Sequence, residues 1–273
     1  MSSTIVVTGA GGQVGRAVVS ALDAIGLDHD ALDVSSLAAV EAMVAELRPD
    51  VIVDCAAFTN VDGCELDPEH AMRVNGLGPS NLARATDAHI VFLSTDYVFD
   101  GTKPSPYLEP DAPNPINVYG RSKRAGERAL DLERSAVLRT SWVCSAHGTN
   151  MITTILRLLG EGSPLRFVTD QRAQPTLVDD LVPAIVRTVD ERRTGIWHVT
   201  NQGAVSAYEF ACAVAEAAGY DPGARVRPVT SLEMPRPAAR PANSVLGTER
   251  VPDDELLPDF RESLPRLLAN LRQ

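Results

Sequence analysis

A chain of 273 residues with 44% hydrophobic and 22% charged side chains has the make-up of a soluble globular protein able to build a sizeable core. Its 25 basic and 36 acidic residues leave a formal charge of −11, which argues against a general affinity for nucleic acid or anionic membrane; an anionic ligand would need a local basic pocket. Cys55, Cys64, Cys144 and Cys212 form no C-x-x-C pair and have no histidine cluster beside them, so neither a metal site nor a disulfide framework is expected, and with no basic leader or membrane-spanning run the expected compartment is the cytoplasm.

Ile5-Val6-Val7 predicts a strand buried on both faces. Thr8-Gly9-Ala10-Gly11-Gly12-Gln13-Val14-Gly15 follows, then Ala17, Val18, Ala21, Leu22 and Ile25 at helical spacing. Strand, glycine turn and helix form the context a dinucleotide needs, because amides at a helix start bind pyrophosphate and glycine lets the backbone approach it. The spacing is Gly9-x-x-Gly12-x-x-Gly15. Leu27 to Val34 predicts the second strand and the acidic residue expected about 20 positions beyond the glycines. Asp30 and Asp33 are both candidates for the adenosine hydroxyls or the adenine edge. They are equally readable as turn aspartates before a helix capped by Ser35 or Ser36. This segment has no Lys or Arg to receive a 2′-phosphate, which leans toward NADH over NADPH.

Leu37, Val40, Met43, Val44 and Leu47 repeat at helical spacing, and Arg48-Pro49-Asp50 ends that helix. Val51-Ile52-Val53 predicts a third strand, running into Asp54-Cys55-Ala56-Ala57-Phe58-Thr59-Asn60, whose small residues would let a cofactor lie close. A helix is expected from near Pro68 to Ala85. His89 to Leu93 reads as the fourth strand, leading into Ser94-Thr95-Asp96-Tyr97. This alternation argues a parallel sheet with right-handed crossovers. Five prolines between Lys103 and Pro115 mark a loop over the strand ends.

Next comes Asn117-Val118-Tyr119-Gly120-Arg121-Ser122-Lys123. On a helix, Tyr119 and Lys123 share a face one turn apart. An ammonium there can pull a phenol from its usual ~10 toward the working pH, so that it exchanges a proton with a carbonyl oxygen. Spacing alone favours a surface tyrosine over a lysine stem; what precedes the pair in the chain favours chemistry. Ala136 to Arg139 is the fifth strand, ending in Thr140-Ser141-Trp142-Val143. Helices near 150–160, from 178 and over 206–218, a strand at Ile196–Thr200 and an irregular run from Arg225 to Pro241 complete the chain. The expected fold is α/β, a doubly wound Rossmann-type parallel sheet with a smaller, irregular C-terminal substrate-binding region. Residues 1–145 would be the NAD(P)-binding domain, rejoined by later elements, and 146–273 mainly the substrate region. No heptad or apolar stripe fixes subunit number, so a homodimer stays open.

Gly12-Gln13-Val14-Gly15, Arg48 to Val53, Ser94 to Phe99, Asn117 to Gly120, Arg139 to Val143, Asp170-Gln171 with Pro175-Thr176, and Arg240 to Ser244 follow one another in a meaningful order. Taken together the chain resembles the dTDP-4-dehydrorhamnose reductase family of extended short-chain dehydrogenases/reductases, nearly end to end. The resemblance implies reduction of the C4 keto group of a nucleotide-linked 6-deoxysugar, foremost dTDP-4-dehydro-L-rhamnose, by NADPH or NADH. It implies Thr95 as the hydroxyl polarising the carbonyl, Tyr119 as proton donor, and Lys123 as holder of the nicotinamide ribose that also lowers the phenol's pKa. Gly9, Gly12, Gln13, Val14 and Gly15 would form the pyrophosphate turn, Ala56, Ala57 and Thr59 the ribose and adenosine side, and Asp33 the adenine contact. Thr95, Asp96 and Trp142 would line the sugar site with Tyr97 beside them; Trp142 is otherwise a core aromatic. Relatives that remove water from a nucleotide sugar need Thr-Asp-Glu, whereas Tyr97 stands third here, which disfavours elimination. Two other readings are a non-catalytic regulatory subunit like that of methionine adenosyltransferase, and a reductase of another dTDP-4-ketosugar for a natural product.

Overall fold

A computed structural model describes residues 3–271. Six parallel strands form the central sheet: β1 Ile5–Thr8, β2 Ile25–Leu27, β3 Val51–Asp54, β4 His89–Thr95, β5 Ser135–Thr140 and β6 Gly195–His198. Their order, β6-β5-β4-β3-β1-β2, reverses direction between β1 and β3. In such sheets ligands lie outside the carboxyl ends of the strands at that switch point. The last pair in register there is Thr8 with Asp54.

The strands read as apolar runs because both faces are covered. Val7, Val53, Val91 and Leu138 pack on one side under the helices Gln13–Leu22 and Val178–Asp190. Their neighbours Val6, Ile52, Ile90, Phe92 and Val137 pack on the other side, under Leu37–Leu47 and Gly78–Ala85. Each fully buried aliphatic or aromatic side chain contributes roughly 1.5–3 kcal/mol. A further core, built from residues 144 onward, joins Ile152, Ile155, Phe210, Val214, Phe260 and Leu264 outside the sheet.

Several elements depart from expectation. Ile25 belongs to β2 rather than the preceding helix, because Asp23 turns left-handed at φ 49° and closes that helix at Leu22. The strand is correspondingly early and short. Beyond it, the carboxylates of Asp28 and Asp33 accept backbone amides two or three residues on, which favours turns over a ladder. The expected helix from Pro68 to Ala85 is Pro68–Met72, a π-helical turn Arg73–Leu77, then Gly78–Ala85. Pro79 cannot donate to the carbonyl of Asn75, so regular α bonding cannot pass through. Helices at Val61–Leu66, capped by Asn60, and at Phe260–Asn270, capped by Asp259, add to the expected elements. The run expected to be irregular holds the strand Val226–Val229, paired parallel with Leu165–Val168.

Candidate active site

A cleft of about 640 Å³ opens at the carboxyl ends of β1, β3, β4 and β5. On its β1 side Gly12 begins the helix Gln13–Leu22 in an extended conformation, and no side chain caps it. The first-turn amides are therefore available to a ligand, and Gly12, Gln13, Val14 and Gly15 line the cleft. Glycine is demanded at two places behind this wall. Gly9 has φ +64°, and a Cβ on it would stand 2.6 Å from the Ala56 nitrogen; one on Gly15 would stand 2.3 Å from the Gly9 carbonyl oxygen. The result is a backbone cradle with Arg16 beside it, a donor set that fits the pyrophosphate of a dinucleotide.

Opposite the cradle, the Asn117 side chain accepts from the Gly120 amide at 2.7 Å and caps the helix Val118–Ala129. Gly120 passes the Tyr97 carbonyl so closely that a Cβ would stand 2.0 Å from its oxygen. Cap and close approach fix the first turn of that helix beneath the end of β4. Tyr119 meets Tyr97 edge-on there, ring centroids 6.0 Å apart. Burial, followed by the charge of Asp96, holds the Tyr119 phenol well above its ordinary pKa, against a smaller lowering by the neighbouring Thr95 hydroxyl.

One turn on, Lys123 is 2% exposed, its ammonium 3.9 Å from the centroid of the Phe92 ring. Burial pulls it down to about 8, against the opposing charges of Asp54 and Glu127. The expected lowering of the phenol by Lys123 is thus not what the geometry gives. Desolvation dominates at Tyr119, and the ammonium faces carboxylates on its other side. Asp54 accepts from the Thr8 hydroxyl at 2.6 Å and the Ala56 amide at 3.1 Å, while its Oδ2 has no partner. Burial raises its pKa.

Asp96 is 2% exposed and pushed up to about 7 by burial, although Ser244 and Thr95 both donate to it. Burial, then Asp96, also raises Tyr97 to about 12. Trp142 sits where β5 turns away, with φ 40°, a strained value for a tryptophan costing ~1–3 kcal/mol. Its ring packs at 6.2 Å on Phe210 and also lines the cleft, so it is both core aromatic and wall.

The segment 145–150 closes the mouth beside the glycine turn. Gln13 Oε1 accepts from Ser145 Oγ and from Asn150 Nδ2, both at 2.9 Å. The Gln13 side chain is therefore engaged with this strap, and only its backbone faces the cradle. Asn150 also caps the next helix through the Thr153 amide.

Of the residues expected from sequence, Gly12, Gln13, Val14, Gly15, Ala57, Thr59, Thr95, Asp96, Tyr97, Tyr119, Lys123 and Trp142 all line this one cleft. Gly9 and Ala56 lie behind it, pressed on each other. Asp30 and Asp33 do not reach the wall. Asp33 instead binds the Ser35 amide and hydroxyl at 2.9 and 2.7 Å as a turn aspartate, and Ser36 caps the next helix. Sequence reasoning missed Arg16, Asp54 and the strap at 145–150. Only Asp54, a carboxylate ending an apolar strand, carried a signal that could have found it. A second cavity of about 200 Å³ lies near β6, and its charged Arg187, Arg193 and Glu255 pair with one another.

Residues 3–273 match the family model described as the RmlD substrate binding domain. The chain is 40% identical over 284 residues to the dTDP-4-dehydrorhamnose reductase of Mycolicibacterium smegmatis, covering 98% of this chain and 86% of that protein. It is likewise 40% identical to a probable dTDP-4,6-dihydroxy-2-methyloxan-3-one 4-ketoreductase of Streptomyces antibioticus, covering 96% and 95%. The crystal structure of dTDP-4-dehydrorhamnose reductase from Bacillus anthracis in complex with NADP superposes with a TM-score of 0.93 at 34% identity, covering 98% of this chain and 99% of that one.

Proposed function

The chain belongs to the RmlD substrate-binding family, and from that premise we propose that it reduces the C4 keto group of dTDP-4-dehydro-L-rhamnose, giving dTDP-L-rhamnose, with NADPH or NADH. The observation carrying this reading is that an uncapped helix start, the Thr95 hydroxyl, the Tyr119 phenol and a buried ammonium share one cleft. A bound nicotinamide would supply hydride to the keto carbon. The chain's own task is then to deliver a proton to the oxygen and to stabilise charge.

A phenol held above its ordinary pKa is protonated at neutral pH, the form a reduction needs. Tyr119 donates that proton to the ketone oxygen, and Thr95, turning its one hydroxyl proton from Asp96, donates a hydrogen bond to the same atom. The Lys123 charge offsets the phenolate left behind, a preorganised stabilisation worth several kcal/mol. Tyr97, at about 12, is no base at neutral pH, which supports reduction over elimination. Below about 7 Asp96 is neutral and adds no opposing charge.

The reductase names of the relatives support an enzyme over a regulatory subunit. Another dTDP-4-ketosugar is the second reading, favoured by the Streptomyces antibioticus relative. The cytoplasm remains the proposed compartment, and among the described residues no helix is long and apolar enough to cross a membrane. Among the same residues, no group of three His, Cys, Asp or Glu is arranged to hold a metal. The test is turnover of purified dTDP-4-keto-6-deoxysugars with product stereochemistry read by NMR. Conversion to dTDP-L-rhamnose with one equivalent of cofactor oxidised is expected. Absence of turnover with every ketosugar, in a protein that still binds cofactor, would overturn the assignment.

A further inference from the structure

We propose that Asp54 is a positioning residue for this reaction, its buried carboxylate keeping Lys123 charged at the wall of the cleft; the inference rests on the reductase reading above. Thr8, Asp54 and Phe92 are partners in register across β1, β3 and β4, so their side chains leave the same face of the sheet. The Lys123 ammonium lies over that face, 3.9 Å from the centroid of the Phe92 ring. Lys123 lines the cleft, whereas Asp54, 1% exposed, sits beneath the wall.

The carboxylate is bonded through one oxygen only. Its Oδ1 accepts from the Thr8 hydroxyl and the Ala56 amide, while Oδ2 is buried without a partner, an arrangement that costs stability and calls for a reason. The reason is the opposite charge on the same face. Burial works against the charge on both groups, and each is first among the influences that oppose burial in the other. The other groups facing Lys123 do not replace Asp54. Glu127, on the same helix, is already answered by Arg139 and Arg124, and the Cys55 thiol is held neutral by burial. Without Asp54, burial would go largely unopposed and the ammonium would lose its proton at a lower pH.

The chain has two lysines, Lys103 and Lys123, so protein labelled with carbon-13 at the lysine Cε gives two resonances; Lys103, paired with Asp111, is the control. Titrated by NMR, the Lys123 resonance of the natural chain should move with a midpoint near about 8. Asp54→Asn keeps the shape and an acceptor for Thr8 and Ala56 but removes the charge. It is expected to bring the midpoint down by about one pH unit or more, with the alkaline limb of the kcat profile following it. Thr8→Val keeps the carboxyl and removes one donor to it, and should move the midpoint the same way by less. A Lys123 midpoint that stays put or rises in folded Asp54→Asn overturns the proposal; should that variant not fold, an unmoved midpoint in Thr8→Val does so. Turnover is scored apart from the titration: its absence in the natural chain sinks the reductase reading, whereas a fixed midpoint sinks the proposal alone.

Discussion

Lys123 and Glu127 occupy successive turns of one face of one helix, both buried and both ionisable, yet their surroundings differ in kind. Glu127 accepts four hydrogen bonds: Ser94 Oγ at 2.6 Å and Arg139 Nε at 2.9 Å on one oxygen, Arg139 Nη2 at 2.9 Å and Arg124 Nη1 at 2.8 Å on the other. Burial alone would raise its pKa, but Arg139, Ser94 and Arg124 more than offset it and hold it low. Lys123 has burial and the charges around it acting on its pKa, and no hydrogen bond among those causes. A buried charge whose every lone pair is occupied belongs to the scaffold, whereas one without hydrogen bonds at the wall of a cleft is free to meet a ligand.

The scaffold side extends further. Arg139 is fully buried, stacks 5.1 Å over the Phe99 ring and brings Nη1 to 3.4 Å from His198 Nε2. Burial and then that guanidinium drive His198 down to about 4, so its neutral ring accepts at Nε2 and donates from Nδ1 to the Gly247 carbonyl at 2.7 Å. Replacing Arg139 with Met should leave Glu127 buried without its main partner and cost about 3–5 kcal/mol of stability in urea unfolding. Since the folded Glu127 pKa is depressed, the pair's contribution is present above the unfolded value of 4.5 and lost as pH falls through the folded one. The difference between Arg139→Met and the natural chain should therefore narrow in acid. A variant as stable as the parent at pH 7 would mean this cluster is ornamental.

The site half of the comparison predicts the opposite signature. Tyr119→Phe should lower kcat by about 10² or more while leaving stability and cofactor Kd nearly unchanged. Turnover at the parental rate would remove Tyr119 from the proton-donor role, whatever its position in the cleft.

Elements that bury a periodic face could be read from residues alone: β1, β3, β4, β5 and the helix of Tyr119 all lie where apolar pattern, cap and glycine place them. β2 was misplaced because a three-residue edge strand with two residues exposed carries no burial pattern, and Asp28 and Asp33 look alike until their turns are seen. The π-helical turn was hidden for a different reason, since Pro79 inside an otherwise helical stretch announces a disturbance without its form. At the site, residue types and spacing named the phenol and the ammonium, and the family resemblance named the Thr95 hydroxyl. The direction of the phenol's shift was not legible, because it depends on how deeply Tyr119 is buried and on Asp96, twenty-three positions earlier in the chain, coming beside it. Nor was the strap, which is tied to the glycine turn by a pair of side-chain hydrogen bonds across more than 130 residues of sequence.

Titration sharpens the comparison by a smaller effect. Lys123 carries its charge below about 8 and loses it above; Asp96 gains a charge beside the phenol above about 7. Both changes oppose negative charge developing on oxygen, so reductase kcat should fall with rising pH, by up to about tenfold per unit beyond pH 8. Asp96→Asn removes the earlier of the two steps and should hold the plateau to higher pH. A flat profile to pH 9 in the natural chain would show that neither group titrates as its surroundings require.

The smallest expected effect lies where scaffold and site meet, at Gln13. Its side-chain oxygen takes hydrogen bonds from Ser145 and Asn150, while its backbone belongs to the cradle. Two hydrogen bonds at a net ~0.5–1.5 kcal/mol each would hold the 145–150 strap against the glycine turn. Gly148 keeps that approach close: at φ +73°, a Cβ on it would lie 3.4 Å from Gln13 Cγ. Gln13→Ala leaves the helix start and its amides intact, so cofactor should still bind, but about fivefold faster dissociation is expected once the strap is untied, with global unfolding unmoved. Stopped-flow displacement of bound cofactor measures the rate directly. An unchanged off-rate would place the strap on the scaffold side with Glu127, whereas a faster one with stability preserved would make it the moving boundary between the two.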